Sequence, residues 1–144
     1  MEILYKSTRG NGETVTASQA ILKGLADDGG LFVPTQVPAL DVPMEKLAEM
    51  SYQEVAYEVM SRFFSDFTEE ELKHCINSAY DSKFDTKEIA PIREADGAFY
   101  LELFHGATIA FKDMALSILP HLMITSARKN QIKNDIVILT ATSD

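Results

Sequence analysis

Cysteine is almost missing from this sequence. Cys75 stands alone among 144 residues, so no internal disulfide can brace the fold. Basic residues are scarce as well: 13 Lys and Arg face 22 Asp and Glu, a net charge of −9, and no basic stripe relieves it. That balance argues against a nucleic-acid partner. No apolar stretch approaches the roughly 18 residues a membrane-crossing helix needs, so no membrane partner is expected. The start Met1-Glu2-Ile3 lacks the positive region and apolar run of a secretory signal, and with the single cysteine it points to a reducing, cytoplasmic setting. Internal repeats and low-complexity tracts are missing too. His74, His105 and His121 are scattered without ligand spacing, so no metal is expected.

What is there is the material of a folded domain. Hydrophobic residues make up 46% and charged residues 24% of the chain, near the globular average. The spacing of Ala17, Ala20, Ile21, Gly24 and Leu25 predicts a helix over residues 15–26, capped by Thr14 or Thr16 and stopped at Asp27-Asp28-Gly29-Gly30. Leu31-Phe32-Val33 reads as a short buried extended piece, and Pro34, Pro38 and Pro43 make an irregular connector. Ser51-Tyr52-Gln53-Glu54 and Thr68-Glu69-Glu70-Glu71 are capping boxes, each opening an amphipathic helix. The first carries Tyr52, Val55, Ala56, Val59, Met60 and Phe63 on its apolar face; the second carries Leu72, Cys75, Ile76, Ala79 and Tyr80. A short loop between them predicts an antiparallel helical pair.

After Asp81 the period changes. Residues 89–92 and 99–104 are strand-like runs on either side of the hairpin pair Asp96-Gly97. From Lys112 the pattern is helical again, with Ala115, Leu116, Leu119, Leu122 and Met123 on one side and a kink expected at Pro120. Ile136-Val137-Ile138-Leu139 is the continuous apolar run of a parallel strand covered on both faces, which would complete a strand-helix-strand unit. Such a strand needs neighbours and covering helices that the residues after it do not supply. The sequence is therefore expected to be part of a longer protein.

The stretch of most chemical interest runs from His105 to Asp113. It sets Lys112 at a strand-to-helix junction behind the apolar Ile109, Ala110 and Phe111, where burial would disfavour the charged amine and make it a nucleophile able to form a Schiff base. By spacing alone, the simpler reading of Lys112 is an ordinary solvated lysine beginning a helix, and periodicity does not name a catalyst. A Ser143, His105 and Asp113 set has no nucleophile elbow and is discarded. Cys75 falls on an apolar stripe and reads as a small core residue.

The sequence HGATIAFKDMAL, followed one helix later by VILTATSD, resembles threonine synthase, a family of fold-type II enzymes that use pyridoxal 5′-phosphate. STRG from Ser7, KGLADDGGLFVP from Lys23, and FDTKEIAPI from Phe84 are similar to the same family, so the resemblance runs along essentially the whole chain. It implies an α/β protein: a mainly helical amino-terminal domain over residues 1–84, then over 85–144 the truncated start of the cofactor domain, made of a hairpin, a helix and a parallel strand. It implies the conversion of O-phospho-L-homoserine and water into L-threonine and phosphate, or in a related phospho-lyase the loss of phosphate without threonine. Lys112 would hold the cofactor aldehyde as a Schiff base and serve as proton carrier, with Phe111 and Asp144 against the cofactor. Thr142, Ser143 and His105 would face the substrate. The family segment begins TSGD, and here no glycine stands between Ser143 and Asp144. The family's glycine-rich phosphate cup is not in this sequence, so the 144 residues alone are expected to be inactive and to bind the cofactor weakly or not at all. An unfinished sheet edge invites self-association. A contrasting reading is a non-catalytic, acidic helical interaction module.

Overall fold

The computed structural model describes residues 2–10 and 12–141. Its first part is a small antiparallel sheet of order β2-β1-β3, with β1 (Tyr5–Ser7) between β2 (Thr14–Val15) and β3 (Phe32–Pro34). β3 is the extended piece expected at residues 31–33, although Leu31 and Phe32 are not fully buried. Strands β1 and β2 are too short to show a period. They are held by tertiary bonds: the Ser65 hydroxyl accepts from the Ile3 amide at 2.8 Å, and the Tyr5 hydroxyl donates to the Phe63 carbonyl at 3.1 Å.

Helix α1 (Ala17–Lys23) is capped by Thr16 in a reciprocal box with Gln19 and ends at Gly24, whose φ of 71° is open to glycine. The proline-rich connector contains one short helix, α2 (Met44–Ala48), which the density of prolines concealed. Helices α3 (Tyr52–Phe63) and α4 (Glu69–Ala79) begin where the two capping boxes predict, with both reciprocal bonds formed in each. They are antiparallel. Tyr52 at the start of α3 meets Tyr80 at the end of α4 edge to face at 4.9 Å, and Phe64 and Phe67 meet at the other end.

Helix α4 is the spine of the core. Leu72, Cys75, Ile76 and Ala79 are buried, together with Tyr80, Phe84, Ile89, Ile118 and Leu122. Removing side chains of this size from water is worth roughly 1.5–3 kcal/mol each for the larger ones. Tyr52, Ala56, Tyr57 and Met60 bring α3 onto this cluster only in part, and Val59 of its expected stripe faces solvent. A second cluster of Ile3, Tyr5, Val15 and Ala17 lies under the sheet, and Phe64 and Phe67 touch both clusters.

The hairpin pairs β4 (Ile92–Ala95) with β5 (Ala98–Leu101), later in the chain than the apolar run at 89–92 suggests. Ile89 is instead a core residue with φ 61°. Ala95 faces Ala98 across Asp96 and Gly97, both with positive φ, the two-residue turn whose twist matches the strands. The helix expected from Lys112 is divided into α5 (Asp113–Leu116) and α6 (Leu119–Lys129). Pro120 has no N–H for the Leu116 carbonyl, so the break falls just before the proline, which then sits harmlessly in the first turn of α6. Helix α6 packs on α1 and α4, and Lys129 reaches Glu71 at 2.8 Å.

One expectation fails. Residues 136–139 form no strand, every sheet pairing among the described residues is antiparallel, and Leu139 is 92% exposed. An apolar run becomes a parallel strand only beside a partner strand, and none of the described residues offers one.

Candidate active site

Beyond β5 the chain is pinned in two places before it reaches Lys112. The first pin is His105. Its Nδ1 lies 2.5 Å from Asp85 Oδ1 and its Nε2 lies 2.8 Å from Glu102 Oε2, while the Asp85 amide donates to the His105 carbonyl at 3.0 Å. The side chain is only 13% exposed and rests on Phe104, with ring centroids 4.6 Å apart. The Glu102 and Asp85 carboxylates hold the imidazole pKa above its ordinary value by favouring the charged ring.

The second pin is Asp113. It is 5% exposed, and its carboxylate accepts from the Thr108 amide at 2.8 Å and the Thr108 hydroxyl at 2.7 Å. These bonds, the hydroxyl first, hold its pKa below the usual carboxylate value against the opposing effect of burial. Between the pins, Ile109 has φ 62°, a costly conformation for a β-branched residue. The strained turn then delivers Lys112 to the start of α5.

Lys112 lines an open groove of about 800 Å³ between α3, the hairpin and α5. Tyr52, Leu101, Leu103 and Met114 supply its walls, and Lys112 is the one charged residue among those lining it. The lysine is half-buried. The apolar shelter expected from its neighbours is incomplete: Ile109 and Phe111 are each 73% exposed, because the positive-φ turn carries the first outward and leaves the second at the groove's rim.

The structure thus brings Phe111 and Lys112 to one groove and places His105 at the hairpin's exit, with both ring nitrogens engaged by carboxylates. Thr142, Ser143 and Asp144 lie outside the described residues. Among the described residues no cluster of three or more His, Cys, Asp or Glu is gathered as for a metal ion, and no helix is long and apolar enough to cross a membrane. Sequence reasoning missed the roles of Asp113 and Thr108, and that of Gly106, whose lack of a Cβ leaves room for the Asp113 side chain. The available signal was a glycine and a hydroxyl residue just upstream of an aspartate at a helix start, a spacing that lets a carboxylate reach back to the chain.

Comparison with known proteins identifies the family. Residues 4–80 match the family model described as threonine synthase N terminus. Threonine synthase of Schizosaccharomyces pombe is 42% identical over 125 residues, which is 84% of this chain and 24% of that enzyme. Human threonine synthase-like 1 is 40% identical over 110 residues, covering 73% of this chain and 15% of that protein. The crystal structure of PLP-bound threonine synthase from Brucella melitensis superposes with a TM-score of 0.80 at 32% identity, covering 90% of this chain and 28% of that one. The chain spans about a quarter of the length of the threonine synthases it matches first. A family model covering more than half of these 144 residues, with the same mixed helix-and-sheet fold in the solved relatives, makes this chain a member of the threonine synthase family.

Proposed function

We propose that the complete protein is a threonine synthase that converts O-phospho-L-homoserine and water into L-threonine and phosphate, and that Lys112 is the residue through which pyridoxal 5′-phosphate is held. The observation that carries this reading is a half-buried lysine standing as the one charged group in an apolar groove. An aromatic aldehyde cofactor fits such a place, which offers apolar walls for a ring and an amine for the aldehyde. When bound, pyridoxal phosphate supplies the electron sink for carbanion chemistry. The chain's own residues do the rest. The Lys112 amine, when free, would hold and move the proton, and the apolar side chains on one side of the open groove would orient the cofactor ring beside it. Phe111, at the groove's rim, is proposed to stand against the cofactor. Thr142 and Ser143 are proposed to face the substrate and Asp144 the cofactor, and His105 supports the turn on the substrate side.

The division at residues 84 and 85, the second part beginning the cofactor domain, belongs to the same proposal, as do a cytoplasmic location and pairing between copies through exposed sheet edges. Because the groove is open and holds no second cation, the 144 residues alone are proposed to be inactive. One alternative that the family resemblance leaves open is a phospho-lyase using the same lysine. Product analysis of the complete protein separates the two.

Borohydride reduction of the complete protein with pyridoxal phosphate, followed by peptide mass spectrometry, tests the central assignment. The reduced adduct is expected on Lys112 and lost in Lys112→Ala. An adduct on another lysine, or none, overturns the assignment, and the absence of any adduct supports a non-catalytic interaction module.

A further inference from the structure

The lysine sits on a turn whose shape is not set by its own apolar residues. Ile109 and Phe111 are largely solvent-exposed and contribute little packing, yet Ile109 keeps a positive φ of 62°. A β-branched residue holds that conformation only where its surroundings over-determine it. The nearest restraint on the page is the Asp113 carboxylate, which closes the turn by accepting both the amide and the hydroxyl of Thr108. The Asp113 amide also donates to the Ala110 carbonyl at 3.0 Å, so the aspartate grips the turn from two sides. Gly106 completes the clasp. A Cβ on it would fall 2.5 Å from the Asp113 Cβ and 2.6 Å from Oδ2, so any other residue there would push the carboxylate away.

We propose that Asp113 is a positioning residue: its buried carboxylate, clasping Thr108 and packed on the bare Cα of Gly106, locks the turn from 106 to 112 and so aims Lys112 into the apolar groove. The role of Lys112 itself rests on the function proposed above. The clasp does not, because it is a property of this chain with or without cofactor.

The test uses the complete protein, kept free of cofactor. Amide exchange at Thr108 is followed by NMR, and competitive acetylation with acetic anhydride reports the reactivity of Lys112 relative to Lys83. In Asp113→Asn, Thr108 exchange is expected to rise about tenfold or more, the loss of a bond to a charged acceptor, and Lys112 acetylation to rise against Lys83. Thr108→Val is expected to raise Lys112 reactivity in the same sense, while Thr108→Ser, which keeps the hydroxyl, restores the parent value. A folded Asp113→Asn with Thr108 exchange and Lys112 reactivity unchanged overturns the proposal. If that variant does not fold, equal Lys112 reactivity in Thr108→Val and Thr108→Ser overturns it instead. Failure of borohydride trapping in the complete protein would sink the role of Lys112 and leave these readings untouched.

Discussion

The Tyr80 hydroxyl donates to the Met114 backbone carbonyl at 2.7 Å, joining the cap of α4 to the helix that begins just after Lys112. Burial pushes the phenol pKa well above its ordinary value, so the group remains a donor at any physiological pH. Tyr80→Phe keeps the ring and removes only the bond. It is expected to lower stability by about 1–2 kcal/mol in urea denaturation, with an unchanged m-value. A variant as stable as the parent would show that the bond contributes nothing net.

His105 predicts a pH dependence of definite sign. Its folded pKa lies above the ordinary 6.5 because Glu102 and Asp85 favour the imidazolium. The stabilisation is therefore fully present below the unfolded value and is lost as pH rises through the folded value. An NMR titration of the ring should find its midpoint above 6.5, and His105→Gln should flatten the loss of stability on the alkaline side. A midpoint at or below the ordinary value contradicts the double clamp.

The two helix starts offer a graded comparison. Ser51→Ala and Thr68→Ala each remove one capping box and are expected to cost about 1 kcal/mol. Glu71 both completes the second box and meets Lys129 at 2.8 Å, so Glu71→Ala should cost more than Thr68→Ala. Thermal melts of the three variants give the order directly, and the reverse order would deny the contact across helices.

Ser126 points the other way. It is fully buried on α6, and among the described residues its hydroxyl has no hydrogen-bond partner. Ser126→Ala is expected to leave stability unchanged or raise it by up to about 1 kcal/mol, since an unmade bond in the interior carries only a desolvation cost. A clear loss in the denaturation midpoint would mean that the hydroxyl is satisfied after all.

Local signals made much of this fold legible. The boxes at Ser51 and Thr68, the turn at Asp96-Gly97 and the buried face of α4 each depend on residues within one or two turns of one another, and all appear as read. Strands β1 and β2 escaped because they are three and two residues long and exist only through pairing with each other and with the distant β3, with Tyr5 braced on Phe63. The run at 136–139 misled for the complementary reason: an apolar run states a preference for a neighbour without supplying one. At the site, the resemblance singled out Lys112. The depth of its burial and the grip of Asp113 depend on a turn with positive φ at Ile109, which no propensity for isoleucine anticipates.

The crossing of α6 over α1, fastened by the Asn130 side chain donating to the Ser18 hydroxyl at 2.9 Å, bears on how the protein is made. A nascent chain released to residue 118 can cover Ala17 and Ala20 of its first helix with Ile3, Tyr5, Val15 and the Phe64–Phe67 corner, but the face that meets α6 is still bare. Ile21 waits until Leu122 and its neighbours leave the ribosome. Synthesis paused in that interval would leave part of an apolar helix face open to chaperones, so the packing of α1 is finished only after Lys112 has itself been translated.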